Sequence, residues 1–250
     1  MALLIDADII AYRAASSVEK EIEFEPDVWV MQTDLKDAHD SFQERLDGLL
    51  KQTSQTGYIL CFSHGANFRK QLSPDYKANR TSRKPMGFKP FVQQLKEKHH
   101  NCVVMPRLEA DDALGILATG PDRAEHVIWS ADKDLMQVPG RHLVDGDEVF
   151  VTQAEGDHFF LTQVLTGDTV DNYKGLPGIG PAKAKLILDN PDKDNMPRTV
   201  GEMWSRIVNA YAKGNLTEAD AILQARMAFI LRTPNWISTT EKIRLWAPPK

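Results

Sequence analysis

The chain has 250 residues, of which 42% are hydrophobic and 26% charged, and its net charge at pH 7 is −5. This length accommodates one large domain or two small ones, and the composition is that of an ordinary globular protein. No apolar run approaches the roughly 18 residues of a membrane span, and the N-terminal run ends at Asp6 with no basic residue before it, so we expect neither a membrane span nor a signal peptide.

Apolar runs and their periodicity predict four elements in the first quarter of the chain. In order, they are a buried parallel strand, a hairpin or edge strand, an amphipathic helix and a second buried strand. These elements lie at Ala2–Ile5, 22–34, Leu35 to about Gln52, and Tyr58–Phe62.

Short strands continue to alternate with helices in the middle of the chain. Strands are predicted at Cys102–Met105, His126–Trp129 and Arg141–Val144, and a helix is predicted from Asp112 to near Gly120. This alternation indicates an open α/β sheet whose strands are mostly parallel.

The last third of the chain is predicted to be mostly helical. Apolar residues at helical spacing occur at Val200–Tyr211 and Leu216–Leu231, and we expect Trp236 and Trp246 to pack on the core that these helices form. The acidic stretch Asp189–Asp194 is interpreted as a surface loop.

The cysteines and histidines show no zinc-binding spacing. Cys61 and Cys102 lie in apolar strand-like runs, so we interpret them as reduced core thiols. Reduced thiols and the absence of a targeting segment predict a cytoplasmic protein.

Residues 69–89 form a strongly basic segment, with seven basic residues against the single acid Asp75. Aromatic residues are interleaved with these cations, at Phe68, Tyr76, Phe88 and Phe91. This combination suits base stacking and phosphate pairing, so the segment predicts contact with nucleic acid. A solvated face or a flexible arm is the alternative. Its prolines and glycine indicate an excursion with short helices rather than a strand.

Acidic residues follow three of the predicted strands and recur once more along the chain. They are Asp6 and Asp8, then Glu109, Asp111 and Asp112, then Asp132 and Asp134, and finally Asp168 and Asp171. Ligands of such sheets bind at the carboxyl ends of the strands, so we expect these carboxylates to share one pocket. Their charge requires cations, and oxygen ligands suit two Mg²⁺ or Mn²⁺ ions of the kind that assist phosphoryl transfer. For the Glu109–Asp112 stretch alone, a charged helix cap is the alternative.

A glycine-rich turn, Gly175-Leu176-Pro177-Gly178-Ile179-Gly180, follows the last acidic pair. Glycines allow backbone N–H groups to approach a phosphate closely, and the next helix offers its positive end together with Lys183 and Lys185. The turn therefore predicts binding of a phosphate backbone, with a plain helix–helix turn as the alternative.

The order of these motifs resembles the 5′-nuclease (flap endonuclease) family, most closely the 5′–3′ exonucleases of T-odd bacteriophages. The motifs are Asp6, Tyr76-Lys77-Ala78-Asn79-Arg80, Glu109-Ala110-Asp111-Asp112, Ser130-Ala131-Asp132-Lys133-Asp134, Gly167-Asp168-Thr169-Val170-Asp171-Asn172 and the glycine turn. The resemblance implies a PIN-like α/β core at 1–165, with a mostly parallel sheet flanked by helices and a helical arch at about 63–98. It also implies that residues 166–250 form a helical DNA-binding region, packed on the core, with a helix-turn-helix element that binds duplex.

The resemblance further implies roles for individual residues. Asp6, Glu109, Asp111 and Asp132 match one metal site, Asp134, Asp168 and Asp171 match the second, and Asp112 is included in the metal set as a supporting acid. Tyr76 would stack on a base beside the scissile phosphate, and Lys77 and Arg80 would neutralise that phosphate. The other expected DNA contacts are Arg69, Lys70, Arg83, Lys84, Gly178, Gly180, Lys183 and Lys185, with a K⁺ ion at the glycine turn.

The implied function is divalent-metal-dependent hydrolysis of DNA near 5′ ends, by exonuclease or flap endonuclease cleavage. The expected partners are double-stranded DNA with a free 5′ end or a 5′ flap, and also RNA–DNA hybrid, and the protein is expected to act as a monomer. For a phage-encoded chain, the location would be the host cytoplasm.

One position departs from the family pattern. The family usually has an Asp just after the second strand, where this chain has Ser63 and His64. We therefore expect one ion to be held more loosely or through a water, with Asp8 as a compensating acid. His64 is left out of the metal set because a lone His at a strand end is usually structural.

Two other functions fit parts of the sequence. Asp6-Ala7-Asp8 is a DxD at a strand end, as in haloacid-dehalogenase-like phosphatases, but Ile10 replaces the Thr or Val expected there. A non-catalytic DNA-binding module would explain the basic segment and the glycine turn, although it leaves the acid clusters unexplained.

Overall fold

The computed structural model describes residues 2–189 and 199–249. The loop expected at Asp189–Asp194 lies outside them, apart from Asp189, which ends a helix. Strands occur at β1 (Ala2–Asp6), β2 (Glu19–Glu25), β3 (Val28–Thr33), β4 (Gly57–Cys61), β5 (Cys102–Val103), β6 (His126–Trp129), β7 (Gly140–Val144), β8 (Asp147–Val151), β9 (Trp236–Ile237) and β10 (Lys242–Ile243).

Helices flank these strands and dominate the C-terminal part. They are α1 (Ala7–Ser17), α2 (Leu35–Lys51), α3 (Arg69–Leu72), α4 (Phe88–Lys98), α5 (Ala110–Ala118), α6 (Gln153–Thr166), α7 (Pro181–Asp189), α8 (Val200–Lys213) and α9 (Glu218–Ala228). Short 3-10 turns occur at Arg123–Glu125, Lys133–Gln137 and Thr233–Asn235.

The central sheet has six strands in the order β5-β4-β1-β6-β7-β8. All neighbours in this sheet run parallel except β7 and β8, which form an antiparallel pair. The mostly parallel sheet predicted from the alternation is therefore confirmed. The sequence did not predict β8, an edge strand on which only Val151 is buried.

Both faces of the sheet are covered. Leu3 and Ile5 of β1 pack in the same cluster as residues of α1, α2 and α4, whereas Leu4 packs with residues of α5 on the other face. Burial on both faces explains why β1 is apolar throughout rather than alternating. A further core is formed by the C-terminal helices, and Trp246 and Trp236 both contribute to it as predicted.

The basic segment leaves the sheet after β4 and returns at α4. The described residues between β4 and β5 contain two helices, α3 and α4, joined by turns, and no strand. An excursion with short helices is thus confirmed. The separate hairpin β2–β3 also agrees with the sequence prediction.

Candidate active site

The acids meet at the carboxyl edge of the central sheet. Asp6 ends β1, and Ser130 and Asp132 follow the neighbouring parallel strand β6. The Ser130 hydroxyl donates to Oδ2 of Asp6 (2.9 Å) and accepts from the backbone N–H of Asp132 (3.1 Å). Ser130 therefore ties two acid-bearing strand ends together. No role was predicted for Ser130, although it stands two residues before Asp132 in the sequence.

Mutual repulsion and burial shift several of these carboxyl groups. Burial, together with the charge of Asp8, raises the pKa of Asp6 to about 7. Burial and the charge of Asp6 raise the pKa of Asp111 well above its usual value. Burial and the charges of Asp132 and Asp168 raise the pKa of Asp134 to about 7. The charge of Asp132 contributes to all three shifts, so it acts on Asp6, Asp111 and Asp134 alike.

The donor set suits hard cations, which would relieve this repulsion. Oδ1 of Asp134 is buried and has no hydrogen-bond partner, so it is free to accept a ligand bond. Among residues 2–189 and 199–249, however, no three His, Cys, Asp or Glu side chains already converge closely enough to hold one ion. Binding would therefore draw the carboxylates closer together, as oxygen ligands of Mg²⁺ require.

Cations from the basic segment pair with some of these acids. The ammonium of Lys77 binds Glu109 and lies 3.4 Å from Asp171, and Arg80 binds Asp171 at 2.6 Å. Although burial opposes ionisation of Glu109, Lys77 and Arg69 hold the pKa of this residue at about 2. Glu109 is thus an anion at all working pH values, in contrast to Asp6 and Asp134.

The basic segment is fastened to the loop that carries Asp168 and Asp171. The backbone N–H of Lys77 donates to the carbonyl of Asp171 (2.9 Å), and the Asn79 amide donates to the carbonyl of Thr169 (2.7 Å). In the other direction, the Asn172 amide donates to the carbonyl of Asp75 (2.7 Å). These contacts hold Lys77 at the edge of the acid pocket.

Arg69 is the first correction to the expected DNA contacts. Only 3% of this side chain is exposed, because the guanidinium makes two bonds to Asp112 (2.7 and 2.8 Å) and one to Glu109 (3.2 Å). It also donates to the carbonyls of Met227 and Phe229. A saturated, buried guanidinium cannot reach a phosphate, so the prediction of DNA contact by Arg69 is wrong.

Asp112 is the second correction. It is fully buried, and besides Arg69 it accepts from the backbone N–H groups of Leu231 (3.1 Å) and Glu109 (3.3 Å). Its oxygens are therefore occupied, and its inclusion among the metal ligands is wrong. The alternative of a helix cap is confirmed here, since Glu109 and Asp112 form a capping box at the start of α5. This cap begins the helix at Ala110 rather than at Asp112.

Tyr76 is the third correction. The ring is buried, and its hydroxyl donates to Glu109 (3.0 Å) and to Asp171 (2.9 Å). A buried ring offers no face to a base, so the expected stacking role is not supported by this conformation. Tyr76 instead holds two of the acids in place, and the buried Tyr173, which the sequence did not single out, lines the same pocket.

Ser63 stands where the family usually has an Asp, and its backbone and hydroxyl group make polar contacts there. The backbone N–H of Ser63 donates to Oδ2 of Asp8 (2.9 Å), and its hydroxyl accepts from the N–H of Ala110 (3.0 Å). Asp8 is thus held beside the acid pocket, as the compensating role requires. His64 is exposed and its Nδ1 accepts from the N–H of Ala66, in line with its omission from the metal set.

The remaining basic residues of the segment are exposed, but two already have partners. Arg83 makes two bonds to Glu19 (2.8 and 3.0 Å), and the Lys84 ammonium lies 5.1 Å from the centre of the Phe88 ring. Lys70 is exposed on α3.

The first half of the glycine turn is tightly packed, and the second half is open to solvent. At Gly175, where φ is +60°, an added Cβ would lie 2.2 Å from the nitrogen of Gly167, so these two glycines let the acid-bearing loop close on itself. Gly178 and Gly180 are exposed and have open space around them. Lys183 and Lys185 are exposed on α7, and the Lys183 ammonium donates to the carbonyl of Gly178 (2.9 Å).

Comparison with known proteins assigns this arrangement to a family. Residues 1–165 match the model of the 5′-3′ exonuclease N-terminal, resolvase-like domain. The chain belongs to the 5′–3′ exonuclease family. An exodeoxyribonuclease of Enterobacteria phage T3 is 30% identical, over 98% of this chain and 92% of that protein. An exonuclease of Escherichia phage T7 is 29% identical, over 98% and 93%. The flap endonuclease Xni of Shewanella baltica is 30% identical, over 69% and 70%.

Solved structures share the fold of this 5′–3′ exonuclease family member. The T5 D15 protein co-crystallised with metal ions superimposes with a TM-score of 0.60, at 16% identity, over 91% of this chain and 88% of that chain. The T5 D15 flap endonuclease in a pseudo-enzyme-product complex with DNA and metal ions gives 0.63 at 15% identity, with the same coverage. The PIN-like fold class is therefore confirmed, and family membership decides against the phosphatase and against a non-catalytic module. No helix in the described ranges is long and apolar enough to cross a bilayer.

Proposed function

We propose that this chain is a divalent-metal-dependent 5′–3′ exonuclease and flap endonuclease that hydrolyses DNA phosphodiesters near 5′ ends. The observation that carries the proposal is the acid pocket at the carboxyl edge of the sheet, closed on one side by Lys77 and Arg80. Family membership supplies the reaction class. The 5′–3′ exonuclease activity itself is the activity of the family to which the chain belongs.

Two divalent ions, Mg²⁺ or Mn²⁺, would be held by the acids of this pocket. Asp6, Glu109, Asp111 and Asp132 are the proposed ligands of one ion, and Asp134, Asp168 and Asp171 those of the other. The two groups follow the pattern of the pKa shifts, in which Asp132 acts on both. Such ions stabilise charge on a phosphoryl group and lower the pKa of a bound water toward about 7.

The side chains of the basic segment would then change partners. Lys77 and Arg80 now neutralise Glu109 and Asp171. With divalent ions bound to these acids, Lys77 and Arg80 would be free to face the scissile phosphate, where their positive charge would stabilise the developing anion. Tyr76, held by both acids, would keep the segment in register during this exchange.

Duplex binding is proposed for the helical region 166–250, with the glycine turn and α7 as a helix-turn-helix element. The open backbone at Gly178 and Gly180 and the exposed Lys183 and Lys185 support it, because such turns bring N–H groups and positive charge to a phosphate. A K⁺ ion at this turn would have to displace the Lys183 ammonium from the Gly178 carbonyl. Lys70, Arg83 and Lys84 would extend this surface along the arch.

The proposed substrates are duplex DNA with a free 5′ end or a 5′ flap, and RNA–DNA hybrid, cut by a monomer in the host cytoplasm. The test is digestion of end-labelled blunt, nicked, flapped and hybrid duplexes with Mg²⁺, with EDTA as the control. We expect short 5′ products from nicked and flapped DNA and no cleavage in EDTA. Full activity in excess EDTA, or attack from the 3′ end, would contradict the proposal. Gel filtration of the active protein tests the monomer.

A further inference from the structure

The hairpin β2–β3 contributes no residue to the lining of the acid pocket. Within residues 2–189 and 199–249, its two strands pair with each other and with no further strand. All but three of their residues are exposed. An isolated two-stranded hairpin is at best marginally stable in water, so an uncovered hairpin of this length suggests that something covers it in use.

The exposed surface of the hairpin is unusually apolar. Phe24 is 72% exposed and Trp29 is 59% exposed, and the other exposed large apolar side chains of the hairpin are Ile22, Val28 and Val30. Large exposed apolar patches commonly mark interaction sites.

The hairpin is also strongly acidic. Residues 19–27 contain five acidic residues and one basic residue. Of the five, Glu19 is already held by Arg83 and by the N–H of Met86. The remaining acids, all on or beside β2, give the surface a negative charge that repels a phosphate backbone and so disfavours DNA as the occupant.

The two faces of the hairpin differ in chemistry. Ile22 lies opposite Val30 in the register, so these two share one face, whereas Glu21 opposite Met31 and Glu23 opposite Trp29 share the other. A strand added beside β2 would alternate in the same way. Its apolar residues would extend the Ile22 face, and its residues beside Glu21 and Glu23 would have to be basic.

We propose that β2 is a docking edge for a partner protein, which adds an extended segment of alternating basic and apolar residues as a third strand. Backbone hydrogen bonds supply affinity in this mode of recognition, and the alternating side chains supply specificity. A second copy of this chain does not fit, because it would set glutamates of one β2 against those of the other, and like charges placed opposite each other are destabilising.

The test uses a fluorescent peptide of alternating lysine and valine, with a peptide of the same composition but grouped lysines as its control. Binding is measured by fluorescence anisotropy on the full chain, and the contacted residues are found from backbone amide NMR shifts. We expect the alternating peptide to bind, the shifts to centre on residues 19–33, and the grouped peptide to bind far more weakly.

Variants separate this surface from general negative charge. Glu21→Lys with Glu23→Lys should weaken binding about tenfold or more, and Glu21→Gln with Glu23→Gln, which introduces no repulsion, about threefold, as cross-strand charge pairs of modest strength imply. The control Glu44→Lys with Asp47→Lys makes the same charge change on the exposed face of α2. It should leave binding within about twofold, because exposed charges beyond a Debye length are largely screened.

Four outcomes would overturn the proposal. Two concern the peptides: equal binding by the wild type and the Glu21→Lys/Glu23→Lys variant, and equal binding of the alternating and the grouped peptide. The other two are self-association of the wild type through residues 19–33, and a changed rate of flap cleavage in the Glu21→Lys/Glu23→Lys variant. The last would assign the hairpin to the DNA surface instead.

Discussion

Replacing Arg69 by Met should destabilise the protein far more than its place in a basic segment suggests. The guanidinium is 3% exposed and makes five hydrogen bonds, two of them to the fully buried Asp112. Removing one partner of a buried ion pair leaves an uncompensated charge, which costs about 3–5 kcal/mol. The backbone carbonyls of Met227 and Phe229, which accept hydrogen bonds from Arg69, would lose their partner as well.

The measurement is urea denaturation of the metal-free protein followed by circular dichroism. Arg83→Met is the matched control, because Arg83 also makes a bidentate pair but is 53% exposed, and such surface pairs contribute only about 0–1 kcal/mol. Adding Asp112→Leu to Arg69→Met should recover part of the loss, since the buried charge is then removed. Equal losses in Arg69→Met and Arg83→Met would refute the burial argument.

Three further predictions concern the acid pocket and its surroundings. Because the pKa of Asp134 is raised from 3.8 to about 7, the stability that its neutral carboxyl group contributes is lost as the pH rises from about 4 to about 7. Asp134→Asn should therefore raise the melting temperature in EDTA at about pH 8 and not at about pH 4. Equal effects at both pH values would be contrary evidence. Lys77→Ala should slow flap cleavage by about 10²-fold or more, whereas the control Lys51→Ala, at an exposed lysine at the end of α2, should change it little; similar losses would count against the role of Lys77. Gly175→Ala should unfold at much lower urea than Gly178→Ala, because only the first Cβ meets backbone, at 2.2 Å; equal midpoints would show that the loop can relax.

The sequence predicted the sheet and the location of the acids well, for a physical reason. Strands buried on both faces are continuous apolar runs, and parallel strands bring their carboxyl ends to one edge. Asp6 and Asp132 could therefore be assigned to one pocket before any contact was known, and the structure joins them through Ser130. The edge strand β8 was not predicted, because an exposed antiparallel edge strand has no continuous apolar run.

The errors concern residues whose burial depends on distant partners. Arg69 lies among exposed cations in the sequence, but its hydrogen-bond partners are 40 to 43 and 158 to 160 positions away. The same holds for Tyr76, whose hydroxyl is held by Glu109 and Asp171. Local composition reports charge and aromatic content, but it cannot distinguish a side chain that faces DNA from one that supports the acids from beneath.

The proposed function requires that the acids of this pocket hold the ions that cleave DNA, whereas DNA binding itself does not require these acids. The most direct test combines Asp132→Asn with Asp134→Asn, which keeps the size of both side chains and removes their charge. Cleavage of a 5′-labelled flap substrate in Mg²⁺ and affinity for the same substrate in EDTA are measured side by side. We expect cleavage to be abolished while affinity stays within a few-fold of the wild type or rises, because negative charge near the phosphates is removed. Cleavage at the wild-type rate would contradict it.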